Sequence, residues 1–274
     1  MGVGVGVGVG KDARNYADRC GEWVRVRRAG VTDSAPMGTP CHSLILLPGL
    51  ACDAALWAPL LPALASAHHV HVSDVHTHHA TLPQMAQALL GRHPGRHVFV
   101  GASMGGMVAL EVALQAPQAV VGLAVLGSSA RADTPELIAL REQAITLFEA
   151  GRMDEVLRAN VALAFHPHGA AQPALVASYL AMVRRAGAAM LIAQNRAVMA
   201  RADLRPHLAS ITAPVLLMCG EADMLTPPEH SREMAALLPS ARLELVPGAG
   251  HMLTMEQPQR VADALLEWLA QLNV

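Results

Sequence analysis

Three side chains with complementary chemistry lie far apart in this sequence. Ser103 sits in the run G-A-S-M-G at 101–105, Asp223 follows an apolar run at 215–218, and His251 ends the run P-G-A-G-H at 247–251. A serine hydroxyl is a weak nucleophile until an imidazole accepts its proton, and the imidazole needs a carboxylate to fix its tautomer. We therefore predict that Ser103 is a nucleophile, His251 its base and Asp223 the supporting acid. Glu221 is a weaker candidate for the acid, and Asp223 could instead cap a turn.

The context of Ser103 favours this hypothesis. An apolar run, H-V-F-V at 97–100, precedes the serine, and a helical pattern begins at Met104. A serine between a strand and a helix must lie on a tight, strained turn, which requires glycines two residues before and after it. The first amides of a helix are free to donate hydrogen bonds, so the Met104 N–H is a candidate donor to an oxyanion. Taken alone, the pentapeptide also fits an ordinary glycine-rich turn.

The elements that must position these residues alternate between strand and helix. Apolar runs predict strands at 43–47, 70–73, 97–100, 120–126, 215–218 and 242–246. Strands that are apolar on both faces belong in a sheet covered by helices on each side, and the alternation favours parallel strands with right-handed crossovers. We predict an α/β fold with a mostly parallel central sheet flanked by helices, and an edge strand at 22–28.

Residues 128–210 interrupt this alternation. Their pattern is almost wholly helical from Thr134-Pro135 onward, with proline in the first turn of a helix. We predict that this segment is an inserted helical cap, and that residues 17–127 and 211–274 form the core. The Gly-Val repeat within residues 1–16 lacks the basic region of a signal peptide. Because glycine at every second position weakens a strand, we expect residues 1–16 to be a disordered or tag-like tail.

The composition argues against several classes of protein. Of the 274 residues, 53% are hydrophobic and 15% are charged, and the formal net charge is -2 with a pI near 6.7. This charge gives no electrostatic basis for binding nucleic acid or an anionic membrane, and no uninterrupted apolar run approaches the roughly 18 residues of a spanning helix. Cys20, Cys41, Cys52 and Cys219 lack the spacing of a metal site or a disulfide framework. We expect a cytoplasmic protein without nucleic-acid or membrane partners.

Six histidines between positions 68 and 79 raise the question of a metal site. A zinc site needs three or four converging ligands, whereas these residues straddle a predicted strand whose side chains alternate between faces. We interpret the segment as a solvated loop and expect no metal. The histidines are His68, His69, His71, His76, His78 and His79.

Three motifs together resemble those of the α/β-hydrolase fold superfamily. They are G-A-S-M-G-G at 101–106, G-E-A-D at 220–223 followed by T-P at 226–227, and G-A-G-H at 248–251 followed by E-Q-P at 256–258. The resemblance extends over residues 22–272 and implies Ser103 as nucleophile, Asp223 as acid and His251 as base. It also implies an oxyanion hole formed by the amides of Met104 and Leu50, the latter following P-G where many members have H-G.

The run S-M-G-G-M is similar to that of small esterases, enol-lactonases and cofactor-free perhydrolases or haloperoxidases. The resemblance implies hydrolysis of a small-molecule carboxylic ester, lactone or acyl thioester through an acyl-enzyme, without cofactor or metal. Two alternatives use the same residues: a perhydrolase or haloperoxidase with peroxide as acceptor, and an acyltransferase with an alcohol or thiol. A third is a non-catalytic ligand-binding protein. The sequence leaves acyl and alcohol specificity and the oligomeric state open.

Overall fold

A six-stranded sheet forms the centre of the protein in a computed structural model that describes residues 41–272. Its strands are β1 Ser43–Leu47, β2 His69–Val72, β3 His97–Ala102, β4 Val120–Leu126, β5 Val215–Gly220 and β6 Ala241–Val246. They pair in parallel in the order β2-β1-β3-β4-β5-β6. This arrangement confirms the predicted α/β fold with a parallel central sheet. The predicted tail at 1–16 and the edge strand at 22–28 lie outside the described residues.

Helices cover both faces of the sheet. In chain order they are α1 Leu61–Leu64, α2 Leu82–Arg92, α3 Met104–Gln115, α4 Pro135–Glu149, α5 Met153–Ala164, α6 Pro167–Ala170, α7 Pro173–Met199, α8 Pro228–Leu237, α9 Leu253–Glu256 and α10 Pro258–Leu269. Helices α1 and α10 pack on one face, and α2, α3 and α8 pack on the other. Along β4, Leu123 and Val125 pack on the face covered by α2, α3 and α8, whereas Ala124 and Leu126 pack on the face covered by α1 and α10. The strand is apolar throughout because both of its faces are buried.

Four helices, α4 to α7, lie between β4 and β5 in the chain, and we call them the helical insertion. Helix α7 spans 27 residues and is kinked at Gly187, whose φ is 77° and ψ 167°. Among residues 41–272, α7 is the one helix long and apolar enough, by length and composition, to cross a membrane. A core helix of a water-soluble protein can have the same length and composition. The expected absence of a membrane partner stays a prediction.

The histidine-rich segment is not the solvated loop that the sequence suggested. His68, His71 and His76 are buried, whereas His69 and His78 are exposed. The His68 Nδ1 accepts a hydrogen bond from the His42 N–H, and the His76 ring bonds to a carbonyl after β1; these partners lie 26 and 24 positions away in the chain. Contacts between residues so far apart in the chain determine which histidine rings are buried, and they leave no pattern in the local sequence. Among residues 41–272, no group of three or more His, Cys, Asp or Glu side chains is arranged to hold a metal ion.

Candidate active site

Ser103 lies on a sharp turn between β3 and α3. Its backbone has φ 52° and ψ -118°, a conformation that is strained for any residue other than glycine. The Ser103 N–H donates to the Leu126 carbonyl at 2.8 Å, and Ser128 Oγ donates to the Ser103 carbonyl at 2.7 Å. A Cβ on Gly101 would collide with the Gly105 carbonyl, and a Cβ on Gly105 would collide with the Leu47 carbonyl, so the packing of the turn requires glycine at both positions. The turn therefore holds the hydroxyl at the carboxyl end of the strand.

The side chains of Ser103, His251 and Asp223 form a hydrogen-bonded series. His251 Nε2 lies 2.9 Å from Ser103 Oγ, and His251 Nδ1 lies 2.9 Å from Asp223 Oδ2. Because a carboxylate only accepts, the Nδ1–H donates to Asp223, and Nε2 is left as the acceptor for the serine hydroxyl. The structure thus brings together the three residues singled out in the sequence, at the ends of β3, β5 and β6.

Asp223 is buried and ionised. Burial alone would raise the pKa of its carboxyl, but attraction to His251 and hydrogen bonds from His251 and Thr226 hold this pKa below its ordinary value. Its Oδ1 accepts from the N–H groups of Leu225 and Thr226, both at 2.9 Å, and its Oδ2 accepts from Thr226 Oγ1 at 2.9 Å. Asp223 therefore caps a turn and also faces the imidazole. Glu221, the weaker candidate, is exposed.

The Met104 amide directly follows Ser103 in the chain, and the Leu50 amide lies in a turn that packs against Ser103. The Cys52 N–H donates to the Gly49 carbonyl at 3.1 Å, which closes a four-residue turn with Leu50 at its first corner. A Cβ on Gly49 would contact Ser103 Cβ at 3.2 Å, so this turn lies directly against the serine. Neither the Leu50 nor the Met104 N–H donates a hydrogen bond to any of residues 41–272. Both N–H groups are free to donate to another acceptor.

A cavity of about 490 Å³ opens beside the acid. Ala162, Phe165 and Pro167 of the helical insertion form one wall, and residues 221–224 and the start of α8 form the other. Ser103 and Leu50 are not among its lining residues. The helical insertion therefore packs over the loop that carries Asp223 and leaves a cleft at that point.

A half-buried carboxylate joins the helical insertion to the loop that carries His251. Glu256 Oε1 accepts from the His166 N–H at 2.8 Å, and Oε2 accepts from the Gly250 N–H at 2.7 Å. A third bond runs from the Met252 N–H to the carbonyl of the last residue of α5, at 3.0 Å. The residues on both sides of His251 are therefore tied to the helical insertion.

Three residues of the site, Ser128, Thr226 and Glu256, had no role in the sequence-based hypothesis. For Thr226 a usable signal existed, because a threonine three residues after an aspartate can bond to it locally. Glu256 stood within a motif of the resemblance, but its contacts were not foreseen. Ser128 has no local signal, since its partner lies 25 positions away.

Comparison with known proteins assigns the chain to a family. A model described as the alpha/beta hydrolase family matches residues 44–264, well over half of the chain. The chain belongs to the α/β hydrolase family. The superfamily and the fold predicted for this α/β hydrolase are thereby confirmed.

Individual relatives of this α/β hydrolase include enzymes. A pimeloyl-[acyl-carrier protein] methyl ester esterase from Nitrosomonas europaea is 31% identical over 232 residues, which cover 79% of this chain and 91% of that protein. Among solved structures, a thermophilic esterase from Thermogutta terrifontis has a TM-score of 0.78 at 25% identity, covering 86% of this chain and 92% of that one. The enol-lactonase from Burkholderia xenovorans LB400 has a TM-score of 0.77 at 23% identity, covering 85% and 92%, and shares the fold.

Proposed function

We propose that this α/β hydrolase is a serine hydrolase that cleaves a carboxylic ester, lactone or acyl thioester through an acyl-enzyme. The observation that carries the proposal is the hydrogen-bonded series from Ser103 through His251 to Asp223, with the serine on a strained turn. The names of the N. europaea methyl ester esterase and the T. terrifontis esterase support ester hydrolysis as the class of reaction.

In the proposed reaction, Ser103 Oγ attacks the carbonyl carbon while His251 Nε2 accepts the hydroxyl proton. Asp223 stabilises the resulting imidazolium, which gives the proton to the leaving alcohol or thiol. Water, deprotonated by the same nitrogen, then attacks the acyl-enzyme, and the acid product leaves as Ser103 regains its proton. The proposal requires neither a metal nor a cofactor.

The Leu50 and Met104 N–H groups are proposed to bind the negative oxygen of the tetrahedral intermediate. Met104 is the first residue of α3, so the partial positive charge of the helix N-terminus adds to its hydrogen bond. Donors that are already in place stabilise the developing charge without reorganisation, and loss of one typically costs about 10²- to 10³-fold in kcat.

We propose further that residues 128–210 act as a cap on a core formed by residues 17–127 and 211–274. The cleft between the helical insertion and the loop after β5 supports a role for the cap in shaping specificity for a small-molecule substrate. The proposed location is the cytoplasm, where Cys41, Cys52 and Cys219, which are free thiols in the structure, would stay reduced.

A fluorophosphonate probe tests the nucleophile directly. We expect a covalent adduct on Ser103 in the folded protein and none in Ser103→Ala, with loss of p-nitrophenyl ester hydrolysis in the same variant. A folded protein that neither forms the adduct nor hydrolyses p-nitrophenyl esters, lactones or acyl thioesters would refute the proposed function and favour a ligand-binding protein.

The identity of the molecule that accepts the acyl group is tested with a panel of substrates. The panel consists of p-nitrophenyl esters of increasing chain length, lactones and acyl thioesters, each assayed with peroxide, an alcohol or a thiol added. We expect the free acid as the main product in every case. A peracid, or an acylated alcohol or thiol, as the main product would replace hydrolysis with perhydrolysis or acyl transfer.

A further inference from the structure

Gln194 links the helical insertion to the turn that carries the Leu50 amide. It lies in α7 beyond the Gly187 kink, and its side chain is buried. Its Oε1 accepts a hydrogen bond from the Ala51 N–H at 2.6 Å, and its Nε2 donates to the His76 carbonyl at 3.0 Å. One carboxamide therefore bonds to two separate loops of the core.

The bond to Ala51 restrains the middle peptide of the four-residue turn. Ala51 has φ 56°, in the left-handed region that favours glycine. Rotation of the middle peptide, which joins Leu50 to Ala51, would return φ at the second corner to negative values and relieve this strain. Gln194 Oε1 holds the Ala51 N–H in its present direction and so opposes the rotation.

His76 completes the set of contacts. Its ring Nε2 lies 2.9 Å from the Cys52 carbonyl, and because a carbonyl only accepts, this nitrogen carries the proton and donates. Burial holds the pKa of His76 below its ordinary value, so the ring stays neutral around pH 7. The turn is thus held at two successive residues, 51 and 52, by Gln194 and by the residue to which Gln194 is bonded.

We propose that Gln194 is a positioning residue for the oxyanion hole: its carboxamide couples the helical insertion to the turn that packs against Ser103 and carries the Leu50 N–H. This inference rests on the proposed hydrolase function, because that function makes Leu50 an oxyanion donor. The side chain must accept at one atom and donate at the other, which a glutamine can do and an apolar residue cannot.

Two substitutions separate these requirements. Gln194→Met keeps the approximate length of the side chain and removes both hydrogen bonds. Gln194→Glu keeps an acceptor for the Ala51 N–H, but when ionised it has no proton for the His76 carbonyl. When protonated, its O–H replaces the missing donor. Burial raises the pKa of an unpaired carboxyl, so the glutamate should regain the function of glutamine as pH falls.

We expect Gln194→Met to lower kcat by about 10- to 100-fold with little change in KM, because the displaced amide acts in the transition state. The kcat of Gln194→Glu, divided by that of the unsubstituted protein at the same pH, should rise toward one between about pH 9 and about pH 6. The ratio removes the pH dependence that the two proteins share. The titratable or charged groups close to His76, Cys52 or Asp53 are Asp74, His78, Tyr179 and Arg185.

Asn195→Leu is the matched control. Asn195 is buried on the same turn of α7, but its side chain bonds to Arg141 and to the Leu191 carbonyl and makes no contact of this kind with the turn. We expect this variant to lose stability in thermal unfolding, as Gln194→Met does, while its kcat stays close to that of the unsubstituted protein.

Amide hydrogen exchange at Ala51 gives a readout that does not depend on activity. We expect exchange to accelerate by at least about tenfold in Gln194→Met and to stay unchanged in Asn195→Leu, since only the first loses the bond. Failure of the unsubstituted protein to hydrolyse esters would refute the proposed function, while faster Ala51 exchange would still support the coupling of Gln194 to the turn. Unchanged exchange, or a normal kcat in Gln194→Met with a pH-independent ratio in Gln194→Glu, would overturn the positioning role.

Discussion

Asp223 receives hydrogen bonds from the Leu225 and Thr226 amides, from Thr226 Oγ1 and from His251 Nδ1. All of these donors face a group that, when ionised, only accepts, so a single carboxylate organises both its own turn and the imidazole. The Thr226 hydroxyl also lies 3.3 Å from His251 Nδ1, but its proton is directed to Asp223. The orientation of the base therefore depends on the charge of one residue.

Asp223→Asn tests this dependence at the residue scale. An amide keeps the shape of the side chain but presents N–H groups to His251 or to Thr226. The imidazole then favours the tautomer with its proton on Nε2, which cannot accept the Ser103 proton. We expect kcat for ester hydrolysis to fall by roughly 10⁴-fold, with a circular dichroism spectrum like that of the unsubstituted protein. A loss below about tenfold would contradict the role of Asp223.

The sequence predicts the proposed catalytic residues better than the residues that hold them in place. Ser103, Asp223 and His251 are recognisable because their types are complementary and each follows a predicted strand. Gln194 has no such mark, since its partner Ala51 lies 143 positions away. Ser128 likewise acts through a backbone carbonyl that no sequence pattern reveals. Contacts of this kind become visible only when the chain is folded.

At the scale of elements, the kink of α7 depends on Gly187. Its φ of 77° and ψ of 167° lie in a region that is essentially restricted to glycine, and a Cβ there would meet no atom within 4 Å. Gly187→Ala should therefore lower the free energy of unfolding by about 1–3 kcal/mol through backbone strain alone. Urea unfolding measures this loss.

Gly91 in α2 provides the control. A Cβ at this position also meets nothing within 4 Å, but its φ is not in the left-handed region. Gly91→Ala should raise the free energy of unfolding by about 0.5–1 kcal/mol, because alanine is the better helix former. Because the two substitutions should change the free energy of unfolding in opposite directions, their comparison isolates the effect of the backbone conformation at residue 187. Equal effects from both would show that α7 straightens at residue 187 without cost.

The hydrogen bonds that join the helical insertion to the loop carrying His251 depend on both carboxylate oxygens of Glu256. Glu256→Gln leaves one acceptor for two N–H donors, those of His166 and Gly250, and turns an NH₂ group toward the other. We expect a loss of about 1–3 kcal/mol in the free energy of unfolding, accompanied by a lower kcat because Gly250 precedes the base. Urea unfolding and ester hydrolysis measure the two effects.

Glu221→Gln is the control for that substitution. Glu221 is exposed and lies in the adjacent loop after β5, so the same chemical change should leave both stability and kcat close to those of the unsubstituted protein. A large loss of kcat in this control would restore Glu221 as a candidate for the acid. A stable, fully active Glu256→Gln variant would show that these hydrogen bonds do not position His251.

The bounds of elements were predictable where hydrophobic pattern alone decides them. The predicted strand at 120–126 coincides with β4, and the predicted helix start at Met104 coincides with that of α3. The kink at Gly187 was not predictable, because a glycine can either end a helix or kink it. In this structure α7 continues on both sides of Gly187. The burial of His68 and His76 was also not predictable, because other segments of the chain cover these rings.

At the scale of the whole molecule, parallel pairing collects the site at one edge of the sheet. The turns after β1, β3, β4, β5 and β6 meet there, and a Cβ on Gly127, after β4, would lie 3.2 Å from Asp223 Oδ2 and 3.4 Å from His251 Nδ1. At the opposite edge, histidines gather near the amino ends of the strands, where His42 stacks on His68 and His71 contacts His93. His68 and His93 therefore lie at the opposite end of the fold from Ser103, whereas the buried His76 lies at the turn that carries Leu50.

Two histidines with lowered pKa values make stability depend on pH. Burial, with added repulsion from His42 and His69, lowers the pKa of His68 to about 4, and burial also lowers the pKa of His93 to about 4. In the unfolded chain these rings take up a proton near their ordinary pKa of about 6.5. The unfolded state therefore binds more protons between these values, so the stabilising contribution is complete above about pH 6.5 and is lost as pH falls toward about 4.

His68→Asn tests this contribution, because an amide oxygen can replace Nδ1 as acceptor of the His42 N–H but does not titrate. We expect the free energy of unfolding to fall less between pH 7 and pH 4 in this variant, by on the order of 1–2 kcal/mol after allowance for solvent screening. Urea unfolding at several pH values gives the slope of the free energy of unfolding against pH. His69→Asn removes only the repulsion that this neighbour exerts on His68, so it should reduce the slope by less than His68→Asn does. Equal slopes in all three proteins would mean that His68 carries no proton linkage.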